Sequence, residues 1–477
     1  MPAARLVRSS LLPAALAAAA LCPPLAAQTA GDLDPSFGSG GVALVDVPVG
    51  GEDFANVATD LAVQADGKLV LGGAAQRIPP DSGAERMVAV RLTRAGALDA
   101  TFGSGGRVRV NAFPGQPARY WNGQVALGPA GEISLLNGAS DGGGPVGWVL
   151  ARLRPTGALE TGFGGGGFVG YLSDSVGVGD VVALADGKVL VLDDFNDEGA
   201  IPINQELSVS RLLPDGSEDP SFGLGGYQIV GFNLGGSWDD AAHAMALQPD
   251  GKILIAGEAE TGTAADYDFA VARLTADGQL DPTFSGDGRT TIGFDLPNGH
   301  YDAAHAIAVD SQGRILVGGV AGGDCAVARL LPDGTLDPSF SGDGRKTFPF
   351  NSNDPGAFDQ VFGLAVQGDG RVVVAGRGTT PAGTDRRFAL ARLNARGGLD
   401  TTFSGDGTRV YDLATGSGQL SNARAVTLAD DGSILASGGA ETAVDDMAFV
   451  AVKLWNDYVF ADGFELGSTA AWSVAAP

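Results

Sequence analysis

The chain is poor in the residues that most often carry chemistry. Among 477 residues there are three histidines, two cysteines and four methionines. Cys22 lies in the N-terminal leader, which leaves Cys325 alone, so the mature chain has no intramolecular disulfide framework. Basic residues are scarce as well: 30 lysines and arginines stand against 56 acids, a formal charge of −26. That balance excludes the basic footprint that nucleic acid or an anionic lipid surface would need. Beyond the leader no run is long and apolar enough for a membrane helix. No phosphate-binding P-loop, dinucleotide-binding glycine pattern, HExxH zinc motif or Gly-x-Ser-x-Gly elbow occurs.

Glycine is what the chain has in excess. Its 75 glycines and 25 prolines make up about a fifth of the residues. These are the poorest helix formers, so a mainly helical protein is excluded. No G-X-Y triplet runs through the chain, which excludes collagen. With 44% apolar residues, general disorder is excluded too. A turn-dense, all-β globular protein remains.

The first thirty residues differ from the rest. Arg5 and Arg8 precede an apolar stretch, 11–21, and Ala26 and Ala27 follow it. The pattern is that of a secretory signal peptide, 1–27, cleaved after Ala27. The chain is therefore expected to be exported, to a periplasmic, cell-surface or extracellular location.

Three markers recur seven times in fixed order. An LDPSFG-like element places phenylalanine at Phe37, Phe102, Phe163, Phe222, Phe284, Phe340 and Phe403. A hairpin such as 61–73 places its turn glycine at Gly67, Gly131, Gly187, Gly251, Gly313, Gly370 and Gly432. A strand ending in ARL places a base at Arg91, Arg152, Arg211, Arg273, Arg329, Arg392 and Lys453. Seven copies of one unit mean one sevenfold object over 31–455, followed by a tail, 456–477. Each unit reads as four short strands. In the fourth these are 227–232, 244–249, 252–257 and 269–274. The Asp-Gly link inside the hairpin favours a tight type I′ turn. The Gly-Gly after the third strand is expected to end it and to let backbones approach. The fold expected is a seven-bladed β-propeller of four-stranded antiparallel blades.

The seventh ARL-like strand lacks the LDPSFG element that follows the other six. The chain instead begins its first unit with GDLDPSFGSGG, 31–41, so the N-terminal segment is expected to close the ring. An acid stands eight residues after each base: Arg91–Asp99, Arg152–Glu160, Arg211–Asp219, Arg273–Asp281, Arg329–Asp337 and Arg392–Asp400. Lys453 has no such follower and Asp34 no preceding arginine, so these two are expected to pair across the closure.

LDPSF (33–37, 336–340), QPDGKILIAG (248–257) and FAVARL (269–274) resemble the delta-60 repeat family, bacterial repeats of propeller-like domains common in exported proteins. The resemblance spans about 31–455. It implies the fold and an exported location, and it implies no reaction. The tail, 459–473, resembles a short FxDGFExG…W segment found at the C-terminus of various secreted bacterial proteins.

The histidines are the unusual residues. WDDAAHAMAL (238–247) and YDAAHAIAV (301–309) occupy the same place in adjacent units and align Asp240 with Asp302 and His243 with His305. His300 lies near them. Other units carry Thr59, Gly123, Asp180, Phe362 and Arg424 at the histidine position. Histidine with carboxylate suits a divalent metal, which makes His243, His305, Asp240 and Asp302 the candidate metal set. Against it, strand alternation sends residues three apart to opposite faces, and copying of one unit into the next explains the match. The recurring SGDG acids Asp287, Asp343 and Asp406 read as tight turns. Cys325 aligns with large apolar residues and reads as core. Aromatics Phe54, Tyr120, Trp121, Trp238, Tyr301 and Phe358 precede the second strand, where core packing competes with a carbohydrate- or peptide-binding face.

Two functions are consistent with this. One is an exported non-catalytic binding or scaffold propeller, without catalytic residues or a cofactor, for a protein or polysaccharide ligand. The other is an extracellular hydrolase or lyase with a metal or acid–base site near the channel around His243 and His305.

Overall fold

The computed structural model describes residues 28–47, 54–77, 85–113, 118–140, 146–172, 177–197, 204–232, 234, 240–262, 266–296, 301–350, 358–379, 385–416, 420–443 and 446–457. The signal peptide, His300, Trp238 and the tail beyond 457 lie outside them. Among the described residues there are 28 strands and no helix. They form a seven-bladed β-propeller of four-stranded antiparallel blades.

Blades 1 to 6 span 54–110, 119–172, 178–230, 241–292, 302–348 and 360–411, and blade 7 spans 421–454. In each blade the first strand is innermost, and these inner strands contact one another in ring order. The blade phase differs from the repeat as read along the chain. Tyr227–Val230 pairs with Asn204–Leu212 and so forms the outer edge of blade 3, not the first strand of blade 4. Blade 7 takes its outer strand from the N-terminus: Val42–Val45 pairs antiparallel with Asp446–Leu454, Val42 opposite Val452. A parallel bridge, Ala55 to Met447, links blades 1 and 7.

The hairpin between the inner and second strands is not a type I′ turn. In blade 4 the Gly251 N–H donates to the Gln248 carbonyl and Gln248 N–H to Lys252. Gly251 is left-handed (φ 84°), whereas Asp250 is not among the non-glycine residues with positive φ. This is a three-residue loop, a type I turn completed by a left-handed glycine. The glycine pair beyond it does not end the second strand, which runs Ile253–Glu260 through Gly257. Close approach is its purpose. A Cβ at Gly257 would lie 1.8 Å from the Ala241 carbonyl oxygen of the inner strand.

Apolar clusters fill the spaces between neighbouring blades. Leu254 and Phe269 of blade 4, for example, pack with Ala304, Ile315 and Val317 of blade 5. Each of the seven marker phenylalanines is fully buried. Above them lies the repeated ion pair. The Nε–carboxylate distances are 2.8 Å for Arg91–Asp99, Arg273–Asp281 and Arg329–Asp337, and 2.9 Å for Arg211–Asp219 and Arg392–Asp400. Arg152 and Glu160 do not join: Arg152 Nε and Glu160 Oε2 are both buried without a hydrogen-bond partner. Lys453 Nζ lies 3.6 Å from Asp34 Oδ2 and 2.8 Å from Asp431. A serine or threonine two residues after the acid donates its hydroxyl to it, as Thr101 does to Asp99 and Ser221 to Asp219. Those bonds, against the cost of burial and with the nearby cations, hold both carboxyls well below the usual range.

Removing one member of such a pair leaves a buried charge uncompensated. Asp337→Ala is expected to cost about 3–5 kcal/mol in denaturant unfolding, whereas Asp66→Ala, on an exposed pair, should cost less than about 1 kcal/mol. Deleting 31–41 removes the Asp34 contacts with blade 7, and is expected to lower Tm markedly. An unchanged calorimetric transition would contradict a latching role for that segment.

Candidate functional site in the central cavity

The inner strands are irregular in every blade, and the irregularity points inward. Each pairs with its second strand through a register shift. In blades 1, 4, 5, 6 and 7 the skipped residue is Thr59, His243, His305, Phe362 or Arg424. A β-bulge turns its extra side chain away from the ladder. These five residues, with Asp60, Gln124 and Asp180, line one cavity of about 200 Å³ at the meeting of all seven inner strands.

The cavity is electrically divided. Asp60 and Asp180 lie on the side of blades 1 and 3. Asp60 accepts the Leu61 N–H at 2.7 Å and, across the blade boundary, the Val125 N–H at 2.9 Å. Asp180 repeats this with Val181 at 2.7 Å and Met245 at 2.9 Å. Burial, together with the charge of Asp180, pushes Asp60 up to about 7. Burial pushes Asp180 up to about 6, although its two backbone donors favour the anion.

The opposite side carries a chain of ring contacts. His243 and His305 lie 4.9 Å apart by ring centroid, and His305 and Phe362 5.6 Å. The Arg424 guanidinium sits 4.2 Å from the Phe362 centroid, and that of Arg377 5.8 Å. The two imidazoles differ. Burial works against a charge on His243, but Glu258, 3.7 Å away, and Asp194 outweigh it and raise its pKa. Burial and the cationic neighbours His243, Arg424 and Arg377 push His305 well below its ordinary value. Burial and the repulsion of Arg377 and Arg386 lower Arg424 to about 10.

The histidines therefore converge, but the candidate metal set does not. The Asp240 carboxylate accepts the Phe232 N–H at 2.8 Å, and Asp302 the Phe294 N–H at 2.8 Å, so both anchor the chain entering their blades. Asp359 does the same for Phe350 in blade 6. Strand alternation separates them from the imidazoles. Among the described residues no group of three or more His, Cys, Asp and Glu side chains is placed to hold a metal ion. Asp180 also needs realignment. Counted back from the turn glycine, Gly179 stands at the histidine position, and Asp180 matches Asp60.

Other candidates take structural places. Asp287, Asp343 and Asp406 accept the N–H two residues on within their own loops. Cys325 is buried opposite Phe348, and burial pushes its thiol far above the ordinary value. Tyr120 is buried, with its hydroxyl donated to Asn111. Tyr301 and Phe358 are exposed, and the Tyr301 hydroxyl donates to Glu258 at 2.8 Å.

Four stretches, 64–102, 248–284, 311–340 and 367–403, match the model of a family described as a domain of unknown function (DUF5122) beta-propeller. Each runs from a hairpin turn to the following marker phenylalanine. These matches fit a propeller repeat family. No curated protein matches the chain. Solved structures similar to it include a protein of unknown function from Dyadobacter fermentans, 11% identical, TM-score 0.41, covering 74% of this chain and 96% of that one. The GH93 α-L-arabinofuranosidase of Fusarium graminearum gives 12% and 0.41 at the same coverage. The intramolecular trans-sialidase of Ruminococcus gnavus gives 11% and 0.37, covering 87% and 98%. At such scores the likeness bears on neither site nor activity.

The Asp60 shift has a stability consequence. A carboxyl raised in the folded state binds more protons there than in the unfolded chain between about pH 4 and 7. Its contribution is full below the unfolded pKa and is lost as pH rises through about 7. Asp60→Asn keeps an acceptor for Val125 and removes the titration. It is expected to flatten the pH dependence of stability across that window; an unchanged profile would refute the shift.

Proposed function

We propose that this chain is an exported, non-catalytic binding propeller whose central cavity takes a small polar ligand bearing an anionic group. One observation carries the reading: Arg424 Nε is buried without a hydrogen-bond partner, on a side chain that lines one cavity with His243, whose Nε2 faces Glu258 at 3.7 Å, and His305, whose Nε2 makes no hydrogen bond. A buried donor left unmade on Arg424 is costly, and a carboxylate or phosphate group would satisfy it while attracted by a protonated His243. The acids across the cavity are engaged by backbone N–H groups on both oxygens, which suits staples between blades better than a nucleophile or general base. The apolar leader 11–21 and the small residues before Gln28 support export.

The hydrolase or lyase reading keeps one supporting feature, the approach of His243 to His305 beside carboxyls that titrate near neutrality. Metal analysis with calorimetric titration of citrate and inorganic phosphate separates the two. Binding without stoichiometric metal is expected, weakened about tenfold or more by Arg424→Gln through loss of a charge-assisted contact. One metal per chain, lost in the His243→Ala/His305→Ala double variant, would overturn the binding reading in favour of the metal site.

A further inference from the structure

The seven repeats serve as one another's controls, and blade 3 breaks the pattern in one place. Six repeats carry leucine at the start of the LDPSF element: Leu33, Leu98, Leu159, Leu280, Leu336 and Leu399. Blade 3 carries Glu218 in the same bridge geometry. Three residues before the strand's base, six repeats have valine or alanine and blade 3 has Ser208. One residue before the base the same holds for Ser210. On the second strand, five repeats have glycine, blade 2 has Asn137 and blade 3 has Asp193. Independent drift would scatter such changes. All four residues instead line a single groove of about 240 Å³ between blades 2 and 3.

The aromatic side is equally exceptional. Tyr171 occupies the outer-strand position whose counterparts Val45, Val110, Val230, Ile292, Phe348 and Tyr411 are at most 4% exposed, yet Tyr171 is 50% exposed. Tyr227 stands exposed on the facing outer strand, and Trp148 lies between them, buried. The Trp148 indole N–H donates to Asp193 Oδ2 at 3.0 Å. Asp193 is 6% exposed, and its Oδ1 has no hydrogen-bond partner. Burial pushes this carboxyl up to about 7, although hydrogen bonds from the Ser208 hydroxyl and the Trp148 N–H favour its anion.

We propose that this groove is a second binding site, for a neutral sugar residue of a polysaccharide or oligosaccharide. Aromatic faces suit the C–H faces of a sugar ring, and hydroxyls and carboxyl oxygens suit its hydroxyl groups. Among the described residues no lysine, arginine or histidine lines the groove to give an anionic sugar a counter-charge. Paired serine hydroxyls, which donate as well as accept, match a polyol better than an ammonium group, which has no acceptor. The site stands independently of the central cavity.

The test restores the repeat. Glu218→Leu and Ser208→Val/Ser210→Ala give blade 3 the residues of its neighbours, and Glu218→Leu, which takes no partner from Asp193, should fold at least as well as wild type. Calorimetric titration with neutral xylo-, arabino- and cello-oligosaccharides is expected to show binding by wild type. The restored variants and Tyr171→Ala should weaken it about tenfold or more, on loss of hydrogen bonds or stacking. Glu218→Leu should also show a Tm equal to or above wild type. The proposal falls if none of these sugars binds, if choline binds in their place, or if the restored variants bind as wild type does. It falls too if Glu218→Leu loses stability, which would make Glu218 structural. Loss of sugar binding in Arg424→Gln with retention in Glu218→Leu would place the sugar in the central cavity and overturn the groove site.

Discussion

The fold depends on a buried arginine used six times. On the third strand of blades 1 to 6 the guanidinium is almost wholly removed from solvent, to 0% exposure at Arg392 and 1% at Arg329. A charge in that position must be paired on all sides. Its Nε binds the aspartate of its own blade in five of the six. Its Nη1 reaches the turn after the third strand of the next blade: Arg91 to the Pro155 carbonyl, Arg211 to Ala276, Arg329 to Ala395. Its face lies 4.4–5.3 Å from the centroid of the marker phenylalanine. One side chain thus fixes an acid, an aromatic ring and the neighbouring blade. The order of the repeat, base then acid then phenylalanine, follows from that geometry.

With the periphery stapled in this way, the inner strands can vary without loosening the ring. Each carries a bulge, and a bulge frees side chains from the ladder. Thr59, His243, His305, Phe362 and Arg424 have little in common chemically, yet all reach the same space. The scaffold repeats and the cavity does not. The contrast between acids near neutrality on one side and cations on the other arises because each blade contributes a different residue to one low-dielectric space.

Much of the scaffold was legible from spacing alone. Seven copies of three markers gave the blade number, and the eight-residue interval from Arg329 to Asp337 gave the ion pair. The stacking of arginine on phenylalanine was not, since a spacing carries no information about which face of a ring is covered. The phase of Tyr227–Val230 was also hidden, because strand pairing is set across the turn and not by where a unit is begun. At the cavity, the equivalence of His243 and His305 was visible, and their approach followed from adjacency of the units. Asp240 and Asp302 were misleading. They recur with the histidines for their own reason, as acceptors for the N–H groups of Phe232 and Phe294. Asp60 gave a faint signal that alignment overlooked: it sits one residue past Thr59, as Asp180 sits one past Gly179.

Blades 2 and 3 also depart from the others where the inner and second strands meet. In blades 2 and 3 one further cross-strand pair is missing beside the bulge, between Trp121 and Gln124 opposite Asn137 and between Val178 and Val181 opposite Leu192, so the net offset stays one residue as in the other blades. In the remaining blades the inner strand presses on the second strand so closely that glycine is required, as at Gly319, where a Cβ would lie 1.9 Å from the Ala303 oxygen. Asn137 and Asp193 take the glycine position in the two blades where that further pair is missing. A polar side chain buried at that position needs partners. Trp148 supplies one to Asp193. The same junction has the one arginine–acid couple that fails to close, Arg152 with Glu160; Arg152 keeps the usual Nη1 bond to the next blade's turn, at Pro214, and sends its Nη2 to the Gly187 carbonyl. Departures at separate places in the chain thus meet at one blade boundary. The repeat relaxes its packing rules there together, which is how a uniform scaffold acquires a local site.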